Sequence, residues 1–271
     1  MSTEVLDSAR PPLSQAIDDI VGGIRRWPLW GLLGWTDILQ RYRRSVLGPL
    51  WITLSMAVLI SALGILYAFL FEMELAEYLP FLAIGFVLWG LISGMIAEGC
   101  TVFVEAEGII KQLSIPLSVH IYRMVWKNIL IFLHNVVVFF VVALIFGTPI
   151  GWSAFLALAG LVLVVANGLW VATLLGLLCA RYRDATPIMG SVIQLSFFLT
   201  PIIWKPEMLP DRAIFLVANP LYHAIELVRA PLLGDVVQPM SWLVSIALVV
   251  VGWAITLPVV GYYRAKLVYW L

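Results

Sequence analysis

Six stretches of this chain, each about twenty residues long and nearly free of charge, constrain its fold more than any other feature: about 47–71, 80–102, 121–146, 153–180, 186–204 and 241–263. A helix of about 20 predominantly apolar residues crosses a hydrocarbon core. In lipid it must satisfy every backbone N–H and C=O within itself. The expected fold is an all-α integral membrane protein with six transmembrane helices. With 62% apolar and 12% charged residues, the chain is far from the roughly 45–50% and about 25% of soluble domains. Its zero net charge is silent about partners, and nothing in it implies a nucleic acid. Cys100 and Cys179 are too few for a disulfide framework and read as small buried hydrophobes.

Orientation follows from the segment RYRRSVLGPLW, residues 41–51. Arg41, Arg43 and Arg44 stand directly before the first apolar run, which marks a cytoplasmic membrane edge. Gly48 and Pro49 turn the chain into the bilayer, Pro49 being tolerable in a first helical turn. With the N-terminus inside, only Lys205, Arg212 and Arg229 of the 16 Lys and Arg fall in outer loops. Both termini are therefore expected in the cytoplasm. Residues 1–26 are polar, carry four acids and lack the apolar centre of a secretory leader. They are expected to be a loose cytoplasmic tail preceding one transmembrane domain, 27–271, whose first span doubles as the insertion signal.

Between tail and first span, Leu32, Trp35, Leu39, Tyr42 and Val46 recur at helical spacing, with Gly34, Asp37, Arg41 and Arg44 opposite. This predicts an amphipathic helix in the headgroup plane. Inside, between spans two and three, EAEGIIKQLSIP predicts a short cytosolic helix. Glu105 and Glu107 suit its N-terminal end, Lys111 follows, and Pro116 ends the segment. Ile109, Ile110, Leu113 and Ile115 give it an apolar side that suits either a partner protein's groove or the chain's own cover. Outside, 205–240 is long and half polar, with an Asn219-Pro220 helix start and stops at Pro231 and Gly234. Two short helices are expected there, about 207–217 and 220–230, lying against the membrane or dipping into it.

Several chemistries are excluded as motifs. No G-x-x-x-x-G-K-[ST], H-E-x-x-H, C-x-x-C or G-x-S-x-G occurs. His120, His134 and His223 are scattered, so neither metal nor catalytic residue is expected. Glu98 is the one acid within a predicted span, unlike a proton relay. In the fifth predicted span Gly190, Gln194, Phe197 and Pro201 share a helical face, with Ser191 and Phe198 beside it. An amide in mid-membrane needs a partner helix or cavity water. A face of small, amide and aromatic residues suits either a path for an uncharged, hydroxylated cargo or packing between two copies.

RYRRSVLGPLW, E-x-x-GIIKQLSIP and ARYRDATPI…SFFLTPIIW, followed by MLP and NPL, together resemble the permease subunit of ABC type-2 polysaccharide exporters of the O-antigen and capsule kind, over roughly residues 27–265. The resemblance implies a homodimer around a central channel in the bacterial inner membrane, working with two copies of a separate cytosolic ATPase. ATP and Mg would then be bound by that partner, with no cofactor on this chain. The implied cargo is a polyprenyl-pyrophosphate-linked polysaccharide; a teichoic acid or small-molecule exporter and a non-transporting scaffold are the alternatives. It further implies that 105–116 is the coupling helix, 27–44 the interface helix, and 205–234 the periplasmic gate, with Pro206, Pro210, Asn219, Pro220 and Arg229 in it. By position it carries over Trp51, Tyr67, Trp89, Phe197, Phe198 and Trp204, with Gln194, as channel residues. Arg41, Arg43 and Arg44 become candidates for gripping the lipid pyrophosphate, beside their plainer topological role.

Overall fold

The computed structural model describes residues 11–41, 43, 45, 47–208 and 214–271. In chain order the helices are α1 Pro12–Arg25, α2 Trp27–Arg41, α3 Leu50–Leu70, α4 Leu75–Glu105, α5 Glu107–Gln112, α6 Ser118–Phe146, α7 Ala154–Arg181, α8 Ala185–Leu199, α9 Ile214–Ala218, α10 Pro220–Leu233 and α11 Pro239–Trp270. A 3-10 turn covers Pro206–Met208.

Among the described residues five helices, α3, α4, α6, α7 and α11, are long and apolar enough to cross a membrane. The sequence pattern led to six. The stretch 186–204 instead gives α8, which has 15 residues and rises about 22 Å, short of a core of about 30 Å. Pro201 is the cause. A residue before proline is pushed out of the α region, and Thr200 sits at φ −97°, ψ 135°. The backbone after it is not helical, but Thr200, Pro201 and Ile202 are buried in protein, the condition under which irregular backbone survives at depth.

α4 is the hub. Tyr78 to Leu88 is buried without a break, and α3, α6, α7, α8 and α10 all pack on it. In lipid, apolar burial gives helices little reason to associate, so close approach through small residues does the work. α7 carries the device: Ala157, Gly160, Val164, Gly168, Ala172, Gly176 and Ala180 are all buried and lie three or four residues apart. A Cβ on Gly99 of α4 would come 2.8 Å from Ala172 Cα. α3 and α8, by contrast, leave most of their surface bare, and α8 has no buried residue.

The N-terminal stretch differs from a loose tail. Pro12 occupies the first turn of α1, where a missing N–H costs nothing, and the helix is docked on α6 and α11. α2 keeps its expected faces: Leu32, Trp35 and Leu39 point outward, while Gly34 and Ile38 are buried. Tyr42, Arg44 and Val46 lie outside the described residues.

α6 ends at Gly147, whose φ of 67° is the left-handed conformation that glycine adopts freely. α10 starts with the Asn219 side chain accepting from the N–H of Leu221 at 2.9 Å and ends at Gly234, φ 86°. Of the two placements expected, against the membrane or dipping into it, α10 has the protein cover that the second requires. Ile225, Leu227, Val228 and Ala230 are buried where α10 packs on α4, α7 and α11. The first predicted gate helix corresponds to Pro206–Met208 and α9, with 209–213, including Pro210, outside the described residues.

Candidate functional site

The end of the molecule that carries α5 is polar. α5 turns off the base of α4 and exposes one flank: Leu113 is 57% exposed, and Ile109 and Ile110 are half-buried. Lys111 pairs with Glu107 at 2.6 Å, an i,i+4 pair, and Thr101 donates to Glu105 at 2.7 Å. Such exposed pairs add little stability; they hold the two acids in fixed positions. Pro116 meets the glycine-rich end of α1, where a Cβ on Gly22 would come 3.3 Å from its ring.

Above α5 a polar cavity of about 280 Å³ opens between α2, α4 and α6, lined among others by Asp37, Arg41, Glu98, Glu105, His120 and Lys127. Arg123 holds Asp37 in a two-pronged grip at 2.7 and 2.5 Å. Lys127 lies 3.0 Å from Glu98, which also accepts from Asn128 at 2.7 Å. These cations are therefore matched to carboxylates, which is how a charge tolerates a membrane interior. Arg41 lines the cavity at the end of α2; Arg43 is exposed in the following turn. Buried His120 presents an Nε2 with no hydrogen-bond partner.

In the middle, four of the seven channel nominees come together. Phe197 of α8 lies 5.5 Å from Trp89 of α4 and 5.4 Å from Phe198, ring centre to ring centre. Trp204 donates its indole N–H to the Phe198 carbonyl at 3.0 Å. Phe86, which was not singled out from sequence, completes the group at 5.6 Å from Phe197. These tilted arrangements suit aromatic quadrupoles. Gln194 is exposed on the same short helix. Tyr67 belongs to a second aromatic row with Phe71, Tyr78 and Phe81. Trp51 stands apart at the N-terminal end of α3, exposed.

At the other end of α4 the charged centre is Arg229, only 1% exposed. Its Nε donates to Glu226 at 2.9 Å, Nη2 pairs with the same carboxylate, and Nη1 donates to the Pro201 carbonyl at 2.6 Å. The guanidinium carbon lies 4.1 Å over the Phe81 ring, a cation–π contact. One side chain thus fixes α10, the break after α8 and the start of α4. Tyr78 adds a bond from its hydroxyl to the Ile203 carbonyl, and Asn219 donates to Thr200 Oγ1 at 3.1 Å. Lys205 pairs with Glu77 across the same rim. Nearby, Asp235 has its carboxyl pushed up from the ordinary aspartate range by desolvation, then by Glu226 and Glu207. Pro206 opens the 3-10 turn and Pro220 the first turn of α10.

The spur of α5, the aromatic group around Phe197 and the loop tied by Arg229 belong to one bundle of long apolar helices. The family model for the ABC-2 type transporter matches residues 28–233. The chain belongs to the ABC-2 type transporter family. As an ABC-2 membrane domain it is a multi-pass transport subunit, and the family implies a partner ATPase. Similar proteins include two O-antigen export system permease proteins RfbA. That of Klebsiella pneumoniae is 25% identical over 192 residues, 70% of this chain and 74% of the relative. That of Myxococcus xanthus is 21% identical over 188 residues, 68% and 72% respectively. The ABC-2 match begins at residue 28 and so leaves out α1.

Proposed function

We propose that this ABC-2 permease exports a lipid-linked polysaccharide of the O-antigen or capsule type across the bacterial inner membrane. It does so as a homodimer served by two copies of a cytosolic ABC ATPase docked on α5. The role in the relatives' names, O-antigen export, is the observation that carries the cargo class. The aromatic wall of Trp89, Phe197, Phe198 and Trp204 supports it physically, because aromatic faces stack on the C–H faces of sugars without requiring a particular sugar order. The bare sides of α3 and α8 are suited to a second copy that would close the conduit. In this reading α8 and the backbone at 200–204, buried over 200–202, serve as the sixth crossing, with both termini inside.

Removing the protein from its host tests the proposal. Surface polysaccharide should disappear while polyprenyl-linked glycan accumulates at the cytoplasmic face. Accumulation of a teichoic polymer or of a small molecule instead would redirect the cargo, and no accumulation at all would remove the transport role.

Arg41, with Arg43 and Arg44, is assigned the pyrophosphate of the lipid carrier, since Arg123 and Lys127 already face carboxylates. A guanidinium grips phosphate with two parallel N–H bonds, whereas an ammonium is a point charge. Replacing all three by lysine should leave insertion intact. Export should fall about tenfold, the worth of one charge-assisted hydrogen bond of about 1.5 kcal/mol. Unchanged export in the triple variant would return these arginines to topology alone.

A further inference from the structure

We propose that α1 is a clamp tying the end of the coupling segment to the C-terminal helix, with Asp19 as its positioning residue, so that displacement of α5 reaches α6 and α11 together. This rests on the reading of α5 as the ATPase contact and goes beyond it, since α1 lies ahead of the family match.

α6 starts at Ser118 without a side-chain cap from its own loop. The cap comes from α1 instead. Asp19 is 4% exposed; its Oδ1 accepts the Leu117 N–H and its Oδ2 the Ser118 N–H, each at 2.9 Å. A carboxylate placed there satisfies two orphan donors and faces the positive end of the helix dipole. The grip is returned, for Ser118 Oγ donates to the Asp19 carbonyl at 2.7 Å and the Tyr122 hydroxyl to that of Ile20 at 3.3 Å.

The other side of α1 is held as closely. Arg264 of α11 donates to the Gln15 carbonyl at 3.2 Å, and its Nη2 lies 4.0 Å from Asp19 Oδ1. A Cβ on Gly261 would come 2.0 Å from the Pro12 carbonyl oxygen, and one on Gly23 would come 2.2 Å from Ser118 Oγ. α1 is thus wedged between α6 and α11, in near backbone contact with α11. Pro116, in the stretch leaving α5, lies where a Cβ on Gly22 of α1 would come 3.3 Å from its ring. A loop residue would have capped α6 just as well. Capping from a separate helix adds the link to α11, and that link is what transmission needs.

Asp19→Asn keeps the side chain's shape and one acceptor oxygen but gives up the charge facing Arg264 and the second N–H. The test reads two quantities: surface glycan in cells carrying the variant, and ATP turnover of the purified permease–ATPase complex in lipid. Asp19→Asn, and a chain lacking residues 1–26, should export about fivefold less, the low end of ordinary coupling between sites, at near wild-type ATP turnover. If export and turnover fall in proportion, if neither changes, or if the shortened chain fails to assemble with its ATPase, α1 is a structural brace and the clamp is overturned. Leu113→Asp examines the underlying reading. Loss of the ATPase on purification supports it; an ATPase that still binds and is still stimulated removes the coupling role of α5, and the clamp with it.

Discussion

Arg229→Ala should cost about 3 kcal/mol, the low end for breaking a buried ion pair because Glu226, the charge left behind, is only partly buried, and should leave little folded permease after extraction. Glu226 would lose its ion pair, the Pro201 carbonyl its donor, and Phe81 its cation. Lysine at 229 should recover only part, because an ammonium cannot reproduce the planar fork that reaches both acceptors. Arg229→Met combined with Glu226→Gln should stand well above Arg229→Ala, since no ion is then left unpaired. Melting followed by tryptophan fluorescence, with the monodisperse fraction on size exclusion, gives the order wild type, double variant, lysine, alanine. If alanine at 229 melts with wild type, the outer loop is not held by this side chain.

Arg229 also shows where sequence reading stops. It falls in a segment that the apolar pattern places outside the membrane, and the resemblance puts it in the periplasmic gate without saying what it touches. Its neighbours Val228 and Ala230, and Glu226 three residues earlier, carry the signal of a buried i,i+3 pair in an apolar helix. That the pair also meets Pro201 and Phe81 is a long-range fact that local spacing does not contain.

The same division runs through the fold. The long spans were legible because lipid leaves the backbone no other way to cross, and α2 because its apolar and polar residues fall on opposite faces, of which the face with Gly34 packs on α6. The end of α8 was half legible. Apolar composition continues to Trp204, yet Pro201 fixes the break at Thr200, and local stereochemistry outweighs hydropathy there. α1 was misread as loose because its residues are polar, and Asp19 finds its partners 98 and 99 positions away at Leu117 and Ser118. Among the channel nominees, Trp89, Phe197, Phe198 and Trp204 converge while Tyr67 and Trp51 do not. Helices apolar on all sides carry no periodicity to set their rotation.

The small-residue ladder of α7 was present in the sequence as a run of Ala and Gly at three- and four-residue spacing, and it carries the second large effect. Gly160 meets α10 backbone to backbone: an added Cβ would come 2.4 Å from the Leu227 carbonyl oxygen and 2.7 Å from its carbon. A carbonyl within a helix cannot turn aside as a side-chain tip can, so α10 must shift bodily. That shift drags on Arg229 and the Pro201 contact two residues further along. Gly160→Ala should therefore destabilise the chain by about 1–3 kcal/mol, the usual cost of overpacking, although the same change in an exposed helix interior is worth roughly 0.5–1 kcal/mol of stabilisation. Gly31 of α2 supplies that comparison, since no described residue lies within 4 Å of its Cβ position. Gly31→Ala should hold or raise the melting temperature of the chain while Gly160→Ala lowers it. Opposite signs from one chemical change on two helices would place the rigid contact between α7 and α10, and equal shifts at the two sites would refute it.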